Sequence, residues 1–148
     1  MYTYKQIEEM LKIYPVIKAE IKNIEMDMLE VENNVGFRGA TDDPKPSTPT
    51  YQFNSNVENE ALSISRDRLL SNLKEEKKKR QRKIDRIENA MSILSEIEEE
   101  IISLYYFKKS SMTSISYKID RDKSQVYRKK KYAIKKMADI MNVSRLQK

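Results

Sequence analysis

A heptad repeat of apolar residues runs along the first helix-forming stretch of the chain and restricts what the chain can fold into. The remaining positions of the stretch are mostly charged or amide residues, so only one narrow stripe needs to be buried. Such a stripe is stable when it packs against a second helix. Segment 1–35 is therefore predicted to be a heptad helix that packs on another helix, in this chain or in a second copy. The stripe consists of Ile7, Met10, Tyr14, Ile17, Ile21, Ile24, Met28, Val31 and Val35.

Pro15 lies inside this repeat. Proline removes one backbone donor and restricts the residue before it. It predicts either a kink in the helix or a helix that begins at Tyr14.

A second helix is expected after a long irregular loop. Segment 36–56 contains both glycines and three of the four prolines, which predicts the loop. Ser55 or Asn56 can cap a helix over 57–83, which is predicted to pair with the first helix as a hairpin or a dimeric coiled coil. Its apolar positions are Val57, Leu62, Leu69 and Leu73, followed by the basic run Lys74–Lys83.

Beyond Ile84 the pattern changes to shorter helices with strong start signals. Ser95 with Glu98, and Asp122 with Gln125, have the spacing of capping boxes, in which side chains satisfy free backbone donors at a helix start. Thr113 can cap a short helix between them. Segment 84–148 is therefore predicted to be a helix-turn-helix domain, and the fold class is all-α. Its first three apolar faces are Ile84, Ile87, Met91 and Leu94, then Ile97, Ile101, Leu104 and Tyr105, then Ile115 and Ile119.

Composition excludes several classes of function. The chain has no cysteine and no histidine, which removes disulfides, thiol nucleophiles, zinc-finger ligands and the commonest general base. We expect neither an enzyme nor a cofactor or metal site. The adjacent residues Glu98, Glu99 and Glu100 point in different directions on a helix and favour its positive N-terminus instead. No apolar run approaches the length of a membrane span, so a cytoplasmic protein without membrane contact is expected.

The basic charge is concentrated towards the end of the chain. Segment 1–34 has four basic and seven acidic residues, and 84–107 has one basic and six acidic. By contrast, 74–83 has seven basic and two acidic residues, and 108–148 has thirteen basic and three acidic. This distribution is typical of a protein that binds a polyanion through its C-terminal part. The run 74–83 is more simply explained as a solvated helix face.

The last predicted helix, from Asp122 to about Met141, has an apolar side and a basic side. At 100° per residue Val126, Ala133, Met137 and Ile140 share one face, with Lys130 and Ile134 at its edge. A basic helix that follows a short helix and a tight turn suits the major groove of double-stranded DNA, with Arg128 placed to read guanine and the lysines to contact phosphates. The predicted DNA-binding residues are Lys123, Ser124, Tyr127, Arg128, Lys129, Lys131, Lys135 and Lys136.

The C-terminal third resembles region 4 of sigma factors. Glu98–Tyr106, Ile115–Ile119, Ser124–Arg128 and Ala133–Met137 look like its successive helices, although Ser116, Asp120 and Arg121 depart from the usual turn pattern. The whole order of elements, with Asn56-Val-Glu58 before the basic run, resembles the ArpU/RinA-type phage late-transcription regulators. This resemblance implies promoter DNA as a partner and suggests RNA polymerase as a second one.

Three classes of function remain open at this stage. The favoured class is a sequence-specific transcriptional regulator that forms a homo-oligomer through the N-terminal heptad helix. A DNA-packaging recognition subunit of a phage also combines a helix-turn-helix with a coiled coil, and would form a closed ring. A structural coiled-coil adaptor would show no salt-sensitive DNA binding.

Tyr105, Tyr106 and Phe107 are expected in the core rather than stacked on bases.

Overall fold

The computed structural model of the protein describes residues 1–37 and 52–143, with side-chain positions for 1–33 and 57–143. It confirms the all-α class, and the described ranges contain no strand. Residues 38–51, within the predicted loop, lie outside the described residues. In the part of the chain that is described, no helix has the length and apolar character needed to cross a bilayer. The helices are α1 (Tyr4–Phe37), α2 (Gln52–Met91), α3 (Glu96–Ile102), a π-helical segment (Ser103–Phe107), α4 (Met112–Ile119) and α5 (Lys123–Asn142).

Helix α1 begins earlier than the alternative that placed its start at Tyr14. It starts at Tyr4, where the Thr3 hydroxyl accepts from the Gln6 amide at 3.4 Å and Gln6 Oε1 accepts from the Thr3 amide at 2.9 Å. This reciprocal pair is a capping box that the sequence analysis missed. The helix continues through Pro15.

The predicted stripe on α1 is the buried face. Ile7, Tyr14, Ile17, Ile21 and Ile24 are all buried in the single chain. Met10, Met28 and Val31 are half-buried, and the Val35 side chain lies outside the described positions. Leu11, which the heptad pattern left out, is fully buried. The single chain therefore buries most of the stripe from Ile7 to Ile24, and it covers the stripe only in part at Met28 and Val31.

Helix α2 differs from its prediction at both ends. It begins at Gln52, so Ser55 and Asn56 lie inside it rather than at its cap, and it continues without interruption past Lys83 to Met91. No proline or glycine falls between these ends, so the chain has no reason to break at 83/84. Three of the four apolar positions predicted for its packing face are exposed, namely Val57, Leu62 and Leu69, and Leu73 is half-buried.

The chain divides into two compact units. Unit 1 contains residues 1–19 and 82–148, and unit 2 contains residues 20–81. The boundary at Arg82 lies close to the predicted start of the DNA-binding domain at 84. The inclusion of the first 19 residues in the same unit was not predicted.

Unit 2 consists of the adjoining parts of α1 and α2, which run antiparallel. Arg80 bonds Glu20 at 2.8 Å, and Lys77 bonds Glu25 at 3.0 Å, so position numbers rise along α1 as they fall along α2. Acidic residues of α1 thus face basic residues of α2. Part of the basic run 74–83 is engaged in these contacts.

Unit 1 is built around a small core shared by the short helices. Helix α5 packs on α3 and on α4, and the buried cluster consists of Ile101, Leu104, Ile115 and Val126. The stretch predicted as one helix through Tyr105 changes at Ser103 into the π-helical segment. Ser111, not Thr113, caps α4, because the Ser111 hydroxyl accepts from the Ser114 amide at 3.2 Å.

Candidate nucleic-acid interface

A three-residue turn joins α4 to α5. Asp120 adopts a left-handed conformation (φ 56°, ψ 50°), and its amide donates to the Ser116 carbonyl. The Arg121 amide also donates to the Ser116 carbonyl at 3.1 Å, while the Ser116 hydroxyl donates to the Arg121 carbonyl at 2.5 Å. Aspartate tolerates this conformation better than most non-glycine residues. The three residues that depart from the usual turn pattern therefore hold the turn together.

Helix α5 starts at the predicted place, but its predicted side-chain cap is absent. Asp122 is the residue before the first turn, and its carbonyl accepts from the Val126 amide at 3.0 Å. The Asp122 carboxylate makes no capping hydrogen bond. Asp122 and Gln125 are both exposed, so the capping box predicted for this pair was wrong. The helix is instead held by its buried face.

The two faces of α5 follow the predicted wheel. Val126, Ala133, Ile134 and Met137 are almost fully buried against α3 and α4. On the opposite side Ser124, Arg128, Lys131 and Lys135 are exposed and lie one turn apart. One face thus belongs to the core, and the other presents three cations to solvent.

The remaining predicted residues lie around this exposed face. Lys123 is exposed in the first turn, Tyr127 is 54% exposed on one flank, and Lys129 is half-buried on the other. Lys136 has a different environment, because its ammonium bonds both oxygens of the Glu98 carboxylate, at 3.1 and 3.2 Å. Since α3 packs on α5, the Lys136 ammonium is paired with Glu98, while 31% of its side chain stays exposed.

The Glu98 side chain pairs with Lys136 on α5 and does not take the capping role at the start of α3 that the capping box predicted. Ser95 does cap α3, accepting from the Glu98 amide at 3.3 Å. The Glu98 side chain is 8% exposed and pairs with Lys136.

Among the described residues, no group of histidine, cysteine, aspartate or glutamate side chains is arranged to hold a metal ion.

Lys130 is buried in a cage of aromatic rings, and sequence reasoning gave no hint of this cage. The residue is 4% exposed, and its ammonium lies 4.1 Å from the ring centroid of Tyr105 and 5.4 Å from that of Tyr127. Glu8 on α1 approaches this ammonium at 3.8 Å and accepts a hydrogen bond from the Tyr106 hydroxyl at 2.6 Å. Burial, reinforced by the bond to Glu8, raises the pKa of Tyr106. The start of α1 is thus attached to the middle of α5.

Three further residue pairs join residues 1–19 to the rest of unit 1. Tyr2 and Asn142 exchange two hydrogen bonds: the Tyr2 amide donates to Asn142 Oδ1 at 2.7 Å, and Asn142 Nδ2 donates to the Tyr2 carbonyl at 3.0 Å. The ring of Tyr14 stacks on Phe107 at 4.5 Å, and its hydroxyl donates to Glu88 at 2.6 Å. Tyr105, Tyr106 and Phe107 are therefore buried or half-buried packing residues, as expected.

The turn also borders an open, polar hollow of about 330 Å³. Tyr117 on its rim is 85% exposed, the most exposed large apolar or aromatic side chain in the part of the chain that is described. A single tyrosine between polar residues gives no sequence signal, so it was not among the predicted site residues. The hollow is lined by Ser116, Tyr117, Asp120, Arg121, Asp122 and Gln125.

These features define an all-helical protein with a helix-turn-helix arrangement, α4 and α5, packed on α3 and on the start of α1. The chain belongs to a family of proteins of unknown function, DUF722, whose family model matches residues 3–139. No curated protein matches the sequence, and no solved structure matches it.

Proposed function

We propose that the protein is a sequence-specific DNA-binding regulator of transcription that inserts α5 into the major groove. The observation that carries the proposal is the exposed basic face of α5, on the opposite side from residues that lock the helix into the core. A single helix fits the major groove, and a helix that is rigid before binding loses little entropy on contact. The resemblance to sigma region 4 and to ArpU/RinA-type regulators supports the same function.

The position of each side chain on α5 suggests its role. Ser124 and Arg128 lie in the first two turns, the part of a recognition helix that reaches base edges. The Arg128 guanidinium can donate two hydrogen bonds to a guanine. Lys131 and Lys135 lie one and two turns further along and are suited to phosphates, as are Lys123 and Lys129 at the edges of the face.

The contacts of Lys136 support a structural role for that residue. Its ammonium is already bonded to a buried carboxylate, and breaking this pair to bind a phosphate would leave Glu98 buried without a partner. We therefore place the phosphate contacts on the remaining lysines.

The test is selection of duplexes from a random pool by the full chain, followed by titration of the enriched site and a scrambled duplex. We expect one enriched motif. Arg128→Ala should weaken binding to that motif by about 1 to 3 kcal/mol and change binding to the scrambled duplex much less. Lys12→Ala, an exposed lysine on α1, is the matched control and should bind like wild type. Failure to enrich any motif, together with salt-insensitive binding, would contradict the proposal.

Genomic occupancy distinguishes regulation from DNA packaging. A regulator should occupy promoters, and RNA polymerase is the second partner that the resemblance suggests. Occupancy confined to a packaging site, with a ring-shaped oligomer, would favour the alternative.

A further inference from the structure

The basic run of α2 contains both paired and unpaired cations. Lys77, Lys79 and Arg80 form salt bridges with glutamates. Arg82 and Lys83, at the end of the run, are exposed, and neither forms a salt bridge with a residue in the described ranges. The whole run was predicted to be a solvated helix face. The structure separates it into cations that are neutralised within the chain and cations whose charge is open to a partner.

The unpaired cations share one side of α2 with Arg86. At 100° per residue Arg82 and Arg86 lie about 40° apart, one turn from each other, and Lys83 flanks them. All three are exposed. Ile84 and Ile87, on the other side of the helix, are buried in unit 1, so this part of α2 is fixed in place. We call Arg82, Lys83 and Arg86 the α2 patch.

Two hydrogen bonds place the α2 patch close to the C-terminal end of α5. The Arg86 guanidinium donates to the Tyr2 hydroxyl at 3.2 Å, and the Tyr2 amide donates to Asn142 Oδ1 at 2.7 Å. Asn142 is the last residue of α5, and all three residues belong to unit 1. Arg86 is therefore separated from the end of α5 by a single tyrosine.

The exposed basic face of α5 leads to the same contact. Lys131, Lys135 and Asn142 fall within about 40° of one another on the helix wheel. Asn142 follows Lys135 by about 10 Å of helix, at 1.5 Å per residue. It is 8% exposed, at the place where Tyr2 binds it. The line of cations on α5 thus continues, across Tyr2, into the α2 patch.

We infer that the α2 patch is a second DNA contact, which binds phosphates of the duplex next to the base pairs that α5 reads. The inference rests on the proposed function. A recognition helix contacts base edges with its first turns, and its C-terminal end lies near the phosphate backbone. Cations beyond that end therefore meet phosphates of the flanking duplex. Such contacts carry no sequence information, but they fix the register of the protein and raise its affinity.

The charge of the α2 patch favours a polyanion as its partner. Segment 82–86 contains three basic residues and one acidic residue. The acidic residue, Asp85, lies on the far side of Arg82 from Lys83 and Arg86 on the helix wheel. Three neighbouring cations repel one another in the free protein, and bound phosphates would remove that repulsion while releasing counterions from the DNA.

The salt dependence of binding tests the contact. The full chain is titrated with the enriched motif inside a duplex that has long flanks, at several salt concentrations. The double variant Arg82→Ala, Lys83→Ala should reduce the slope of log affinity against log salt by about two, because each phosphate contact contributes about one. Arg86 is left unchanged so that its bond to Tyr2 is kept.

The matched control is Lys12→Ala, Lys22→Ala, which removes the same charge from exposed positions on α1. It should keep the wild-type slope, and circular dichroism checks that both double variants keep wild-type helicity. A wild-type slope in Arg82→Ala, Lys83→Ala would overturn the inference. So would an equal reduction in the control, which would show that only the net charge of the protein matters.

Trimming the duplex tests where the contact lies. Removal of the flank on one side of the motif should weaken wild-type binding, whereas removal of the other flank should not. The double variant Arg82→Ala, Lys83→Ala should bind the long duplex and both trimmed duplexes equally. A loss on trimming that is as large in this variant as in wild type would contradict the assignment to the α2 patch.

Vesicles that contain phosphatidylglycerol test a membrane surface as the other partner for a basic patch. We expect the long duplex to displace the chain from them. Retention on the vesicles in excess duplex, lost in Arg82→Ala, Lys83→Ala, would assign the α2 patch to a membrane and overturn the inference.

Failure of this inference is distinguishable from failure of the proposed function. If Arg128→Ala relaxes the preference for the motif while Arg82→Ala, Lys83→Ala keeps the wild-type slope, only the second contact is wrong. If no motif is enriched but Arg82→Ala, Lys83→Ala reduces the slope on a scrambled duplex, the α2 patch remains a phosphate contact and only the sequence-specific function is wrong.

Discussion

Glu8 and Lys130 form an ion pair in which the cation is far more buried than the anion. The two charged groups are 3.8 Å apart, and the exposed fraction is 6% for the Lys130 side chain against 23% for that of Glu8. The aromatic rings around Lys130 stabilise its charge, and the Glu8 carboxylate balances that charge as an ion pair without a direct hydrogen bond. Removal of Glu8 therefore leaves a more buried charge unpaired than removal of Lys130 does.

This asymmetry predicts unequal effects of mutation. Glu8→Ala leaves a buried ammonium without its carboxylate and should lower the free energy of unfolding by about 2 kcal/mol, less than for a fully buried pair. Lys130→Met keeps the apolar stem and removes the charge, so it should cost less than about 1 kcal/mol. Urea unfolding followed by circular dichroism measures both. Equal losses would show that the pair is not held in this way.

The raised pKa of Tyr106 predicts a loss of stability at alkaline pH. The pKa of an unfolded tyrosine is 10.0, whereas burial and the bond to Glu8 keep Tyr106 protonated above that value in the folded chain. Above about pH 10 the unfolded state therefore binds fewer protons than the folded state, and the free energy of unfolding must fall as pH rises. Below that pH this contribution is fully present.

The variant Tyr106→Phe should reduce this slope by up to about 1.4 kcal/mol per pH unit. Tyr4 and Tyr14 have pKa values raised in the same direction, mainly by burial, so part of the slope should remain. Tyr117→Phe, which changes an 85% exposed ring, is the control and should keep the wild-type slope. Urea midpoints between about pH 9 and 11 provide the measurement. An unchanged slope in Tyr106→Phe would contradict the assignment.

The hydrogen bonds at the starts of α4 and α5 predict different losses of stability for Ser111→Ala and Asp122→Ala. Ser111→Ala removes a hydroxyl that accepts from the Ser114 amide and should lower stability by about 1 kcal/mol. Asp122→Ala removes a carboxylate without a capping bond, so only its interaction with the helix dipole is lost, about a few tenths of a kcal/mol. Melting temperatures of the two variants check this order. A larger loss for Asp122→Ala would indicate that its carboxylate caps α5 after all.

The salt dependence of DNA binding should separate two neighbouring lysines of α5. Lys135 is exposed on the basic face, so Lys135→Ala should reduce the slope of log affinity against log salt by about one. Lys136 is bonded to Glu98, so Lys136→Ala should leave that slope unchanged while lowering the melting temperature. Titrations of a selected duplex at several salt concentrations give both slopes. Equal reductions would place Lys136 on the DNA as well.

Periodic patterns within one helix could be predicted from the sequence, and contacts between distant segments could not. The apolar stripe of α1 and the buried face of α5 both repeat at helical spacing, so local geometry is enough to find them. The exposed face with Arg128 follows from the same wheel. Leu11 was missed because the heptad pattern assigned this turn of the helix to Met10, whereas Leu11 is the fully buried residue and Met10 lies at the edge of the buried face.

The cage around Lys130 depends on which helix packs against α5, and nothing in the local sequence encodes that choice. The same is true of Tyr2 with Asn142 and of Lys136 with Glu98. Capping pairs were only partly predictable, since Ser95 and Ser111 use their hydroxyls but Asp122 does not use its carboxylate. Spacing identifies residues that are able to cap, whereas packing decides which of them do so.

The two hydrogen bonds between Tyr2 and Asn142 join residues 140 positions apart, which has a consequence for the order of folding during synthesis. Domains generally fold in the order in which they are synthesised, but α1 is synthesised well before α5, which holds its partners. The contacts of Tyr2 with Asn142 and of Glu8 with Lys130 can therefore form only after α5 has left the ribosome. Until α5 has been synthesised, the start of α1 lacks these partners and is exposed to chaperones and proteases, although both segments are helical in the folded protein.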